Sequence, residues 1–232
     1  SGLNITIPFK QEVISNLLEI SDEAKVIGAV NTLLRINGGY KGYNTDVYGI
    51  KKALEKADID INKKDIVLLG AGGAAKAVLY VCAKEGVESV SLISRDINKA
   101  KVLCESIKAS FLDIKLNFIK LSELDAKSSI NEYLPKNDYI AFQASPVGMH
   151  PNVDKAIIEC KDFYDKCEAG MDLVYNPAQT KFMQYFIDDN KKVINGLDML
   201  IYQGVRAFEL WNGIEVGEEI VLKLRQLLML DK

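Results

Sequence analysis

Lys10 and Asp46 are the two side chains best suited to moving a proton. Lys10 follows Pro8-Phe9 where the spacing reads as the start of a helix. A cation there opposes the helix dipole, so two readings stand: a solvated lysine, or an ammonium that donates or accepts a proton. Asn44-Thr45-Asp46 lies between a hairpin and a helix. Thr or Asp at such a place caps the helix; the alternatives for Asp46 are a general base or a group that orients a lysine. Asn31-Thr32 puts polar side chains into a strand that would otherwise be apolar, either as an exposed edge or as ligand contacts. Gln203 interrupts an apolar helix four residues after Met199, facing either solvent or a cleft.

A second set of residues suits a phosphate-bearing cofactor. The run 66–69 meets Gly70-Ala71-Gly72-Gly73-Ala74-Ala75 and then a helical pattern. This is the G-x-G-x-x-A form of a dinucleotide-binding turn. Gly70 lets the chain leave the strand tightly, Gly72 admits a pyrophosphate close to the backbone, and Ala74 and Ala75 let helix and strand pack closely. A helix N-terminus offers N–H groups to phosphate. One such turn is weak evidence, since tight strand-to-helix turns use glycine for steric reasons alone. The next strand ends in Ser94-Arg95-Asp96-Ile97-Asn98-Lys99. Arg95 and Lys99 suit a 2′-phosphate and hence NADP, whereas Asp96 opposes it unless it only caps the helix; NAD stays open. Ala144-Ser145-Pro146-Val147-Gly148-Met149 and Asp172-Leu173-Val174-Tyr175-Asn176-Pro177 follow strands on the carboxyl edge, where open α/β sheets bind ligands.

The elements that position these groups follow from periodicity. Residues 2–7 alternate as a strand ended by Pro8, and 9–19 carry apolar residues at helical spacing. Residues 29–36 and 40–43 read as a hairpin around Asn37-Gly38-Gly39, followed by a helix through Val47, Ile50 and Leu54. Strands at 66–69, 88–93, 116–119, 138–142, 169–173 and 192–194 alternate with helices at 73–85, 96–108 and 178–189. That alternation implies an α/β fold with a mostly parallel, doubly wound sheet. Helices at 197–211 and 216–229 finish the chain, with Trp211 read as core. A polar link at 58–64 marks a boundary near residue 60.

The 232 residues, with 48% hydrophobic and 26% charged content, suit one large or two modest globular domains. A net charge of −3 gives no electrostatic reason to expect nucleic acid or an anionic membrane. No apolar run reaches the length of a span, and no basic-then-apolar leader is visible. Four cysteines without C-x-x-C spacing and a single histidine suggest reduced thiols, a cytoplasmic setting and no metal.

Together the segments Asn4-Ile5-Thr6-Ile7-Pro8-Phe9-Lys10, Gly28-Ala29-Val30-Asn31-Thr32, Gly42-Tyr43-Asn44-Thr45-Asp46, 70–75, 144–149, 172–177 and 196–200 with Gln203-Gly204 resemble the shikimate dehydrogenase family, in the family's order over essentially the whole chain. The resemblance implies reversible reduction of 3-dehydroshikimate to shikimate with NADPH, in aromatic amino-acid biosynthesis, by a monomer or homodimer. It makes Lys10 and Asp46 the catalytic pair. Asn4, Thr6, Asn31, Asp46 and Gln203 would hold ring hydroxyls, with Tyr175 nearby. Residues 70–75 would bind the pyrophosphate, Arg95 and Lys99 the 2′-phosphate, with Ser94 and Ser145 in the cofactor site, and Gly196 and Met199 the nicotinamide. It implies a substrate domain of residues 1–59 completed by 197–232, a dinucleotide domain of 60–196, and an active site in the cleft between them. The family also carries an earlier strand and helix with a Ser-x-Ser pair for the substrate carboxylate, so the chain reads as truncated at its N-terminus. Two further departures are Gln143-Ala144-Ser145 in place of the usual Asn-Ala-Thr, and Asp96 where a small hydroxyl residue is common. The alternatives are an NAD-using quinate or shikimate dehydrogenase, or an impaired nucleotide-binding relative.

Overall fold

The computed structural model describes residues 1–6, 8–124 and 127–230; Ile7, expected in the first strand, lies outside the described residues. Among these, the elements run β1 (Gly2–Asn4), β2 (Glu19–Ile20), α1 (Asp22–Ile27), β3 (Thr32–Ile36), β4 (Gly39–Tyr43), α2 (Asp46–Lys56), β5 (Asp65–Leu69), α3 (Gly73–Lys84), β6 (Ser89–Ser94), α4 (Ile97–Ser110), β7 (Lys115–Lys120), α5 (Lys127–Tyr133), β8 (Tyr139–Gln143), α6 (Lys161–Asp165), β9 (Cys167–Asp172), α7 (Lys181–Asp188), β10 (Lys192–Ile194), α8 (Leu197–Asn212) and α9 (Glu218–Leu230). The chain divides into unit 1, Ser1–Ala53 with Leu197–Lys232, and unit 2, Leu54–Gly196.

Unit 1 is built on a mixed sheet in the order β1-β3-β4-β2. The β3–β4 hairpin turns at Gly38, whose φ of 83° lies in the left-handed region that glycine enters freely. Val30 and Leu33 pack with Ala24 of α1 beneath it. The helix expected over 9–19 does not form. After a turn, the 3-10 stretch Glu12–Asn16 leads into β2. Tertiary bonding defeats the periodicity here. The Lys10 carbonyl accepts the Val30 N–H at 2.7 Å, Ile14 N–H reaches only three residues back to Gln11, and Leu18 N–H is drawn to Tyr40 of the sheet. Trp211 does tie α8 into this unit: its Nε1 donates to the Leu33 carbonyl at 2.9 Å.

Unit 2 holds a parallel sheet in the order β10-β9-β8-β5-β6-β7. Ile66, Val67, Leu68 and Leu69 are fully buried, as expected for a central strand covered on both faces. One layer of its core gathers Val67, Leu69, Ile93 and Tyr139 with Tyr164, Phe182 and Phe186. Chain order reverses between β5 and β8, which makes their carboxyl ends the topological switch point. All four cysteines are free, and Cys82, Cys104 and Cys167 are buried.

Candidate active site

In unit 1, the N-terminus of α2 is where the polar side chains converge. Asn44 shapes the entry: its Nδ2 donates to the Ala29 carbonyl at 3.0 Å and its Oδ1 accepts the Asp46 N–H at 3.1 Å. Asp46 therefore starts the helix with its carboxylate free for other partners. Oδ2 accepts from Lys10 Nζ at 2.7 Å and Oδ1 from Asn31 Nδ2 at 2.9 Å. The Lys10 side chain is 25% exposed and that of Asp46 12%, so the ammonium is held in place yet remains open to a ligand.

Asn31 is fixed at both backbone groups. Its N–H donates to Tyr43 O at 3.0 Å and its carbonyl accepts from Ile5 N at 2.8 Å. Its side-chain oxygen accepts from the Thr45 N–H at 2.8 Å and from the Thr32 hydroxyl at 3.1 Å. Gln203 Oε1 lies 3.5 Å from both Asn31 Nδ2 and Thr45 Oγ1. Asn4 Oδ1 accepts from Thr32 Oγ1 at 3.4 Å. The structure thus joins Lys10, Asp46, Asn31, Gln203 and Asn4 through direct bonds. Thr6 is exposed close by in sequence, its carbonyl accepting from Phe9 N at 3.0 Å.

Gly49 is a residue the sequence reading passed over. A Cβ there would lie 2.4 Å from the Met199 carbonyl and 3.2 Å from Gln203 Cβ. Its absence lets α8 approach α2 closely enough for Gln203 to reach the polar cluster. The signal was present in the sequence: glycine inside a helix costs about 1 kcal/mol relative to alanine and calls for a packing reason.

In unit 2, Gly70 leaves β5 with φ 107°, its N–H donating to Ile93 O at 2.9 Å. A Cβ there would lie 3.0 Å from the Ala144 carbonyl. By contrast, nothing lies within 4 Å of a Cβ at Gly73, and at Gly72 only Ala144 O reaches that distance. Gly72 caps α3 with no side-chain hydrogen bond, and the first turn of the helix holds no acid. Open backbone, uncapped N–H groups and no competing carboxylate fit a pyrophosphate. Arg95 and Lys99 are exposed. Asp96 is a helix cap: its Oδ1 accepts the Lys99 N–H at 3.0 Å, and its own N–H donates to Ser94 Oγ at 3.2 Å.

Gln143 and Asp172, paired across β8 and β9, shape the loops that follow. Gln143 donates to Ser145 O at 3.2 Å and Val147 O at 2.7 Å, and accepts from Ser145 N at 2.8 Å. The longer amide thus folds back on its own turn and holds Ser145 beside Gly70. Asp172 is fully buried, and burial pushes its carboxyl up to about 7 against the pull of Thr180 and Val174. Tyr175 is exposed on the loop beyond it. Gly196 is buried, its N–H donating to Val174 O at 3.0 Å. Met199 is half-buried in the first turns of α8.

The sheet order, the glycine turn at the switch point and the polar cluster on a second unit define a two-unit α/β protein of the dinucleotide-binding class. Three family models match in sequence order: the shikimate dehydrogenase substrate binding domain over residues 1–33, shikimate / quinate 5-dehydrogenase over 51–139, and the shikimate 5'-dehydrogenase C-terminal domain over 196–224. The chain is 40% identical over 228 residues to a shikimate dehydrogenase (NADP(+)) of Clostridium perfringens, covering 97% of this chain and 78% of that one. A chorismate mutase/shikimate 5-dehydrogenase fusion protein from Clostridium acetobutylicum superposes with TM-score 0.84 at 33% identity, covering 99% of this chain and 78% of that one. Shikimate 5-dehydrogenase from Listeria monocytogenes, in complex with shikimate and NAD, superposes with TM-score 0.85 at 28% identity, with 96% and 76% covered. The chain belongs to the shikimate dehydrogenase family.

Proposed function

We propose that the protein reduces 3-dehydroshikimate to shikimate, reversibly, with NADPH. The observation that carries this reading is the Lys10–Asp46 pair at 2.7 Å within a cluster of hydroxyl-binding side chains. NADPH, when bound, supplies the hydride. As negative charge grows on the ketone oxygen, the Lys10 ammonium stabilises it, and the Lys10–Asp46 pair delivers the proton. Asn4, Thr6, Asn31 and Gln203, with Tyr175, bind the ring hydroxyls, and an analogue lacking a hydroxyl forfeits the hydrogen bonds made to it. Residues 70–74 hold the pyrophosphate, Ser94, Arg95 and Lys99 the 2′-phosphate end, and Ser145, Gly196 and Met199 the remainder of the cofactor. Residues 1–59 with 197–232 form the substrate and catalytic domain, and 60–196 the dinucleotide domain. Unpaired thiols and NADPH chemistry fit a cytoplasmic enzyme, as monomer or homodimer.

NAD in place of NADP is the second reading, favoured by the cofactor bound to the Listeria relative. Asp96 caps α4, which accounts for an acid at this position without a ribose contact. The test is a steady-state assay of this chain, oxidising shikimate with NADP and with NAD and following absorbance of the reduced cofactor. Turnover with NADP preferred supports the proposal, and turnover with NAD preferred supports the second reading. A folded chain that binds NADPH but turns over neither pair overturns both.

A further inference from the structure

Asp172 is a buried acid with no counter-cation among its hydrogen-bond partners, and the proton-transfer chemistry proposed above makes no use of it. Its Oδ1 accepts the Val174 N–H at 2.9 Å and its Oδ2 the Thr180 hydroxyl at 2.6 Å. One carboxyl group therefore clamps both ends of the loop that carries Tyr175. Each clamped residue has a second task. The Val174 carbonyl accepts the Gly196 N–H, and a Cβ on Gly196 would lie 2.1 Å from Leu173 O, so Gly196 is seated directly on this loop. Thr180 also caps α7 through the Met183 N–H at 3.3 Å. Its Cβ and Cγ2 lie 3.4 Å from where a Cβ of Gly148 would be, in the loop after β8. An acid is costly to bury, and a neutral side chain of that size would suffice to fill the space. What the carboxyl adds is two acceptors at one point.

We propose that Asp172 is a positioning residue: by tying Val174 and Thr180 to the end of β9 it holds Gly196 in the geometry that receives the nicotinamide end of the cofactor, while the glycine turn and Arg95 receive the adenosine end. This rests on the reading of unit 2 as the NADP-binding part. The Asp172 clamp acts on one end of the ligand only, and that separates it from a generic effect on folding.

The experiment compares Asp172→Ala, Thr180→Val and Thr180→Ser with the unsubstituted chain. Two ligands are titrated by fluorescence: NADPH, and 2′-phospho-ADP-ribose, which lacks the nicotinamide. Amide hydrogen exchange at Gly196 is read in the same proteins without ligand. The expected result is about tenfold weaker NADPH binding in D172A and T180V, with 2′-phospho-ADP-ribose unchanged and Gly196 exchange accelerated. T180S, which restores the hydroxyl, returns both to their starting values. Equal weakening of the two ligands, or NADPH affinity within twofold of the starting chain, overturns the proposal. If D172A does not fold, T180V and its rescue by T180S decide it. If the unsubstituted chain binds neither ligand, the cofactor reading fails, and unchanged Gly196 exchange in T180V would separately refute the clamp.

Discussion

Gly49→Ala tests whether the close approach of α2 and α8 sets substrate affinity. The added Cβ would begin 2.4 Å from the Met199 carbonyl, and an ordinary contact needs 3.4 Å, so α8 must withdraw by about 1 Å. Gln203 reaches Asn31 and Thr45 at 3.5 Å, already at the limit of a hydrogen bond. A withdrawal of that size breaks both contacts and carries the Gln203 amide away from the substrate hydroxyl that we propose it binds. Loss of one such interaction, at about 1.4 kcal/mol, raises KM for shikimate about tenfold. Lys10 and Asp46 do not touch α8 in this network, so kcat should stay within about threefold. Overpacking costs about 1–3 kcal/mol and the helix gains about 1 kcal/mol from losing a glycine, so net destabilisation is at most about 2 kcal/mol. Steady-state kinetics with shikimate varied at saturating NADP, together with a thermal unfolding curve, read both quantities. KM within twofold of the starting chain would refute the argument that Gly49 seats Gln203.

Lys10→Ala should lower kcat by about 10²–10⁴-fold while NADPH affinity, measured by titration, stays the same. Arg95→Ala should raise KM for NADP about tenfold or more and leave KM for NAD unaltered, the ratio being the readout. Asp96→Ala should lower stability by about 1 kcal/mol through loss of the α4 cap without altering that ratio, as compared by denaturant titration and by kinetics with both cofactors. Asp172 sets a pH dependence of stability. Its folded pKa of about 7 exceeds the ordinary value of 3.8, so the folded state retains a proton that the unfolded chain has released between these values. Stability should therefore fall as pH rises from about 4 to about 7 and level off above, by about 4 kcal/mol at most. Asp172→Asn should lose this slope in urea titrations at pH 5 and pH 8.

The parallel unit was the more legible half of the sequence. Its strands are short apolar runs bounded by turn residues, and β10 at 192–194 falls where the periodicity puts it. The N-terminal stretch was misread because Phe9, Val13, Leu17 and Leu18 mimic a helical stripe. Phe9 and Leu18 are in fact exposed, and the backbone bonds that decide the segment come from Val30 and Tyr40, remote in sequence. Helix α1 was legible but missed: Ser21 accepts from Ala24 N and Gly28 closes the helix at φ 65°. Short α5 and α6 carry no comparable signal. For the site, residue types pointed to Lys10, Asp46 and Asn31, but that the Asp46 carboxylate turns to Lys10 depends on the Asn44 turn that frees it. Asp96 was ambiguous for the same reason, since capping and phosphate repulsion are told apart only by where the oxygen points. Gln143 and Asp172 stand at neighbouring strand ends and each bonds within the loop that follows it, a geometry that composition does not encode.

Unit 1 is assembled from the two ends of the chain, with residues 54–196 between them. On the ribosome, the segment that completes the six-stranded sheet, β10, is synthesised just before the first turn of α8. The substrate-side cluster must wait for Gln203, and the Trp211 anchor bridges 178 positions back to Leu33. Such distant closure is entropically expensive in an unfolded chain, and prior folding of the intervening residues shortens the search by replacing a long random coil with a compact body. Unit 2, continuous in sequence, closes over shorter loops than unit 1, whose two pieces must find one another across it.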